Sequence, residues 1–277
     1  MTRIRLALPV SFLLVSLTLP SIGQTSDDTR KEAFVPPMQT QSQVSTATAN
    51  PAEHQITDEE KGDLYMARKQ YREATDQYRM LCEQDPHNAV FLNKLGIALH
   101  QQTALGLALK YYEKAVKANP KYADAENNIG TIWYQRKKYG KAVRAYQKAI
   151  KMRDDMPVLY SNLGYAYFSQ GKYDDSIVAF RTALAKDPQF FERGSSRNGS
   201  VLQDRSVPDR GRFYFLLAKS FAEAGNPERA IFYLRKSKEE GYAQINEVKK
   251  DPAFAALLKD PTVIDLLAPK PVESAQQ

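Results

Sequence analysis

The sequence has few of the residues from which chemical sites are built. Only one of its 277 residues is a cysteine, Cys82, so no disulfide bond can form within the chain. The three histidines, His54, His87 and His100, are scattered, and no two of them have the i, i+4 spacing of a helical metal site. No glycine-rich phosphate loop follows a strand pattern. The sequence therefore predicts no cofactor, no metal and no enzyme activity.

Long hydrophobic runs are also missing, except at the start of the chain. Residues 1–23 begin with arginines, continue with an apolar stretch from Leu6 to Leu19 and end with small residues. This order is typical of a secretory signal peptide, and the stretch is shorter than the roughly 20 residues of a membrane span. We expect an exported bacterial protein, periplasmic or secreted, with no transmembrane span after signal cleavage. Whether the segment is cleaved or kept as an anchor stays open.

The next segment, residues 24–54, is rich in serine, threonine, glutamine and proline, and Phe34 is its only aromatic residue. Such a composition buries too little apolar surface to offset the entropy lost on ordering. The sequence therefore predicts a disordered linker here.

The remainder of the chain is organised by an interval of 34 residues. Glycines, small residues, aromatic residues and prolines recur at this interval: Gly62, Gly96, Gly130 and Gly164; Ala74, Ala108, Ala142 and Ser176; Tyr78, Tyr112, Tyr146 and Phe180; Pro86, Pro120 and Pro188. Within one interval the large and small residues have helical spacing, and the proline ends the second helix. No single unit can bury its apolar face alone, so the pattern predicts a stack of helical hairpins.

This pattern resembles the tetratricopeptide repeat (TPR) family. The fourth unit matches best, with Leu163 and Gly164 before Tyr167, whereas the third unit has Asp154 in place of the proline and the first has Lys61 in place of the leucine. The resemblance implies an all-α fold, in which antiparallel helix pairs form a right-handed superhelical solenoid.

The resemblance also gives a domain plan for the chain. Residues 55–188 hold four contiguous units, which we assign to 55–88, 89–122, 123–156 and 157–190, and a fifth TPR-like unit occupies 209–242. Between them, residues 190–208 are rich in arginine, glycine and serine, which predicts a loop. This loop is either a contact surface or a plain connection. Residues 243–269 contain two Asp-Pro pairs that predict short capping helices at the end of the stack.

In TPR arrays the first helix of each unit lines a concave groove. The resemblance places the corresponding positions of this sequence in the groove. They are Asn93, Lys94, Asn127, Asn128, Thr131, Tyr134, Asn162, Tyr165 and Phe168. The amides offer donors and acceptors to a peptide backbone, and the rings offer apolar contact. The resemblance therefore implies a protein partner, bound as a peptide or a helix. The alternative is that these side chains satisfy one another.

Positive charge marks a second candidate surface, since the formal net charge is +7. Basic residues recur at helical spacing on the outer faces of the second helices of units two and three: Lys110, Lys114, Lys117, Lys141, Arg144, Lys148 and Lys151. These residues form either a solvated face or a surface for an acidic protein, a membrane surface or an anionic polymer of the envelope. We expect no nucleic-acid partner for an exported chain. The sequence as a whole predicts a non-catalytic scaffold that binds proteins.

Overall fold

The computed structural model describes residues 55–191 and 209–268. The predicted signal peptide at 1–23, the linker at 24–54 and most of the loop at 190–208 lie outside the described residues. Within the described ranges the chain is helical and has no β-strand. None of the described helices combines the length and the apolar character needed to cross a membrane.

Helical hairpins make up most of the described chain, and the first four each fall within one 34-residue interval. The hairpins are α1 (Asp58–Ala67) with α2 (Tyr71–Gln84), α3 (Ala89–Gln101) with α4 (Leu105–Ala118), α5 (Ala123–Gln135) with α6 (Tyr139–Met152), α7 (Pro157–Ser169) with α8 (Tyr173–Lys186), and α9 (Arg210–Glu223) with α10 (Pro227–Glu239). The prediction of an all-α solenoid of paired helices is confirmed.

The repeated glycines allow the two helices of a unit to pack closely. A Cβ atom at Gly96 would lie 2.6 Å from Cε1 of Tyr112, and a Cβ atom at Gly130 would lie 2.5 Å from Cε1 of Tyr146. Both rings are completely buried. Any larger residue at the glycine would displace the ring that fills the centre of the unit.

The described part of the chain ends in a compact cap that follows α10. It consists of the 3-10 helices Ile245–Lys249 and Pro252–Leu257 and the helix α11 (Pro261–Leu266). The side chains of Asp251 and Asp260 accept hydrogen bonds from the backbone N–H groups two residues further on, as their Asp-Pro sequences predict. Phe254 of this cap is buried, with its ring centroid 5.5 Å from that of Phe215.

In the stacking of the first units, consecutive helices alternate in direction. The amide Nε2 of Gln102, which follows the end of α3, donates hydrogen bonds of 2.9 Å to the carbonyl of Tyr71 and 2.7 Å to Oγ1 of Thr75. Because both acceptors belong to the start of α2, α3 runs antiparallel to α2.

The fifth hairpin, which follows the break in the 34-residue frame, is stacked in the opposite sense to the first four. Arg212, at the start of α9, donates a hydrogen bond of 2.7 Å to Tyr173 at the start of α8. Glu223, at the end of α9, forms an ion pair of 2.9 Å with Arg181 in the second half of α8. These two contacts show that helix α9 runs in the same direction as α8. The described chain resumes at Asp209 beside the start of α8 and not beside its end.

Candidate partner-binding surfaces

The structure buries nearly all of the predicted concave groove, which corrects the expectation that these side chains are accessible. Eight of the nine residues expose between 0% and 5% of their surface: Asn93, Asn127, Asn128, Thr131, Tyr134, Asn162, Tyr165 and Phe168. Only Lys94 is partly exposed. In this conformation the eight buried side chains offer no surface to a partner.

The buried amides join neighbouring units. The Nδ2 atom of Asn128 donates a hydrogen bond of 3.0 Å to Oδ1 of Asn93, and Nδ2 of Asn162 donates one of 2.9 Å to Oδ1 of Asn127. The two pairs have the same 35-residue separation and link α3 to α5 and α5 to α7. These amides therefore bond to one another across neighbouring units. They do not bond to the backbone of a partner peptide, as was expected.

The buried rings are covered in a similar way by the first helix of the following hairpin. The hydroxyl groups of Tyr134 and Ser169 are 2.9 Å apart, which links α5 to the end of α7. The rings of Tyr165 and Phe168 lie 5.1 Å and 5.5 Å from that of Phe213 at the start of α9. The reversed fifth hairpin thus covers Tyr165 and Phe168, two of the aromatic residues that were expected to face a partner.

Thr131 belongs to the same interior. Its hydroxyl donates to the carbonyl of Asn127 at 3.2 Å and accepts from the hydroxyl of Tyr146 at 3.3 Å. Both of its hydrogen-bonding functions are used within the third unit, so it has no role on the surface.

Lys94 is held by the first unit. Its Nζ atom lies 2.7 Å from carboxylate oxygens of both Glu59 and Asp63. Burial opposes the charge of Lys94, but the hydrogen bonds to the two carboxylates outweigh it and raise the pKa of the side chain. Its charge is therefore compensated within the chain.

The basic residues of α4 and α6, in contrast, lie on the surface as predicted from their spacing. All seven are exposed: Lys110, Lys114, Lys117, Lys141, Arg144, Lys148 and Lys151. We call this surface the basic face. Two of its lysines lie over aromatic rings, since the Nζ atoms of Lys141 and Lys114 are 4.3 Å and 5.0 Å from the ring centroids of Trp133 and Tyr111. Lys148 forms an ion pair of 2.7 Å with Glu126.

The basic face is confined to the middle of the array. Helix α6 contains no acidic residue at all. The exposed charges of the flanking second helices are mixed, with Arg72, Glu73, Asp76, Arg79 and Glu83 on α2 and Asp174, Asp175, Arg181 and Lys186 on α8. The concentration of positive charge is thus a local property of α4 and α6.

A cavity that the sequence analysis missed lies beside α9. Its volume is about 310 Å3, and we call it the C-terminal trough. Ile177, Phe215 and Leu216 form its apolar floor, and Arg212 and Lys219 lie two helical turns apart along α9. The first turns of α8 form one wall and residues 242–251 form the other. No sequence signal marked it, because it exists only when α9 runs beside α8 in the reversed direction.

The single thiol offers no reactive group. Burial raises the pKa of Cys82 to about 11, so the thiol is protonated near neutral pH and is a weak nucleophile. Within the part of the chain that the structure describes, no three histidine, cysteine, aspartate or glutamate side chains are grouped as a metal site requires.

Family models match the repeats along the chain. Models described as TPR repeat and tetratricopeptide repeat match residues 62–102 and 130–171, residues 157–190, and residues 89–122 and 211–239. Together these segments make up more than half of the 277 residues. The chain belongs to the tetratricopeptide repeat family. The resemblance drawn from the 34-residue interval is thereby confirmed, and this TPR protein is a protein-interaction scaffold.

Solved structures to which this chain is similar include MamA and YrrB. A crystal structure of MamA is 22% identical over 67% of this chain and 96% of its own, with a TM-score of 0.46. MamA 41-end from Desulfovibrio magneticus RS-1 is 17% identical over 68% of this chain and 94% of its own, with a TM-score of 0.47. YrrB, described as a TPR protein with an unusual peptide-binding site, is 16% identical over 70% of this chain and 91% of its own, with a TM-score of 0.45. No curated protein matches the sequence.

Proposed function

We propose that this TPR protein is a non-catalytic scaffold that holds an acidic segment of a partner protein against the basic face of α4 and α6. The observation that carries the proposal is the contrast between the surfaces: the predicted groove is buried and internally bonded, whereas the basic face is exposed, and Glu113 is the one acidic residue of its two helices.

Several cations of the basic face are available to a partner. Lys110, Lys117, Arg144 and Lys151 form no ion pair with any residue in the described ranges, and all four are exposed. Rim charges of this kind steer association and set its salt dependence more than they add affinity. We therefore expect fast, salt-sensitive binding of an acidic segment.

Two aromatic residues restrain lysines of the basic face. Lys141 lies over Trp133, and Lys114 lies over Tyr111. Stacking on a ring restrains a lysine and presents apolar surface beside it. This combination favours a protein segment, which carries both carboxylates and apolar groups, over a simple anionic polymer.

We propose further that binding takes place outside the cytoplasm, in the bacterial envelope or in secretion. This part rests on the sequence of residues 1–23 alone. N-terminal sequencing of the protein recovered from periplasmic and membrane fractions tests it. A chain that starts near Gln24 in the periplasm supports export with cleavage, whereas an intact chain in the cytosol contradicts it.

The binding experiment compares two variants of equal net charge. In the first, Lys110, Lys117, Arg144 and Lys151 are replaced by glutamine; in the matched control, Arg72, Arg79, Arg181 and Lys186 are replaced instead. The probe is a fluorescent decapeptide of alternating glutamate and glycine, titrated at low and at physiological salt. We expect the first variant to lose about tenfold or more in affinity, and salt to weaken binding to the unchanged protein.

Equal affinities of the two variants would show that net charge alone attracts the peptide, and the proposal would fail. Parallel titrations with anionic lipid vesicles, an anionic wall polymer and duplex DNA identify the partner class. If one of these binds the basic face and the peptide does not, the partner is not an acidic protein segment.

A further inference from the structure

We propose that the C-terminal trough is a second binding site, which accepts one large apolar side chain of a partner segment that has a basic residue on each side of it. This site is separate from the basic face in position and opposite to it in charge.

The floor and the size set the central contact. Ile177, Phe215 and Leu216 are buried side chains that nevertheless line the open cavity, so a ligand there contacts apolar surface. A volume of about 310 Å3 is at the lower end of the roughly 300–1,000 Å3 of small-ligand pockets. It is enough for one leucine- or phenylalanine-sized group and too little for a packed helix.

The two cations of the trough are already engaged. The guanidinium of Arg212 donates to the Tyr173 hydroxyl at 2.7 Å, and its Nε atom lies 3.5 Å from Oδ2 of Asp209. The Nζ atom of Lys219 lies 2.7 Å from Oδ2 of Asp251. Neither is therefore a free anchor for an anionic ligand.

Two carboxylates on opposite walls remain. Asp174 in the first turn of α8 and Glu247 in the first 3-10 helix of the cap both line the trough, and both are exposed. Neither forms an ion pair with another residue in the ranges that the structure describes. Negative charge at both walls above an apolar floor is complementary to a segment in which cations flank an apolar side chain.

The walls are held firmly enough to keep this arrangement. The ring of Phe215 lies 5.0 Å from that of Tyr242, and the ion pair of Lys219 with Asp251 ties the cap to α9. The trough is thus preformed, and a ligand loses little affinity to ordering it.

The test uses the full chain and the acetylated, amidated pentapeptide Gly-Arg-Leu-Arg-Gly, followed by amide NMR shifts. We expect saturable shifts near Phe215 and Tyr242. Replacing Asp174 by asparagine together with Glu247 by glutamine should weaken binding at least threefold. The matched control replaces the exposed Asp175 and Glu239, which carry the same charges outside the trough, and should bind as the unchanged protein does.

Two further peptides decide between explanations. Serine in place of leucine should abolish the shifts, because the floor then has no apolar partner; glutamate in place of both arginines should also abolish them. Tighter binding of the glutamate peptide, absence of shifts with any peptide, or equal losses in both variants would each overturn the proposal. Because the basic face is unchanged in all these proteins, binding of the acidic decapeptide should persist, which separates this outcome from that of the proposed scaffold function.

Discussion

The guanidinium of Arg212 donates a hydrogen bond of 2.7 Å to the hydroxyl of Tyr173, and its centre lies 5.0 Å from the centroid of the same ring. This contact joins the first turn of α9 to the first turn of α8. It fixes the direction of the fifth hairpin, forms one end of the C-terminal trough and brings Phe213 onto the aromatic residues of α7.

The direction of the fifth hairpin can be measured in solution. Spin labels at Asp175→Cys and Arg210→Cys, in a Cys82→Ser background, should lie close together, whereas labels at Lys186→Cys and Arg210→Cys should be farther apart by up to about 15 Å, given the rise of 1.5 Å per helical residue. Pulsed electron–electron double resonance measures both distances. The opposite order of distances would mean that the fifth hairpin continues the alternation of the first units.

The repeated glycines should be intolerant of a single methyl group. In Gly130→Ala the new Cβ atom would lie 2.5 Å from Cε1 of the fully buried Tyr146, and we expect a loss of about 1–3 kcal/mol in the free energy of unfolding. Gly106 provides the control, because a Cβ atom there meets only Nη2 of Arg136, at 3.9 Å. Gly106→Ala should be neutral or stabilise by up to about 1 kcal/mol. Urea unfolding of both variants checks the pair, and similar effects would contradict the packing argument.

The amide pairs between units should contribute to stability as coupled pairs. Removing Asn162 leaves Oδ1 of Asn127 without the 2.9 Å hydrogen bond from Nδ2, at a cost of about 1–3 kcal/mol for a buried group. A double-mutant cycle of Asn127→Ala and Asn162→Ala should give a coupling energy of about 0.5–3 kcal/mol. The cycle of Asn93→Ala and Asn162→Ala, which belong to different pairs, should be close to additive. Equal coupling in both cycles would argue against direct pairing.

His100 should make the fold sensitive to mild acid. Burial lowers its pKa, although its Nε2 atom lies 2.9 Å from Oε1 of Gln135. The unfolded chain then takes up the proton first, so stability is complete above about pH 6.5, the ordinary histidine pKa, and falls as the pH is lowered further. The urea midpoint should drop between pH 7.5 and 5.5. His100→Gln should flatten this dependence, and an unchanged slope in that variant would assign it to other groups.

The 34-residue interval predicted the contacts that depend on local spacing. Gly130 and Tyr146 could be paired from sequence, because the contact lies within one hairpin and recurs in each of the first four units. The contacts of Asn128 could not be predicted. Its position in the 34-residue repeat does not show whether a side chain on the first helix faces an open groove or the neighbouring first helix. In the structure the neighbour lies close enough for its amide to bond Asn93.

The fifth hairpin shows a different limit of sequence reasoning. Its residues have the repeat pattern, and Phe221 is buried. Periodicity, however, gives no direction once the frame is interrupted after Phe191. The C-terminal trough depends on that direction, so it could not be found from the chain alone.

Reversal at the end of the array also limits how this protein can be lengthened. A copy of the 34-residue unit inserted among the first four hairpins would find the same helix polarity on both sides and could lengthen the stack. A copy added after α10 would meet a hairpin of opposite polarity and the cap that covers it. Further units can therefore be added by duplication, in evolution or by design, only before α8.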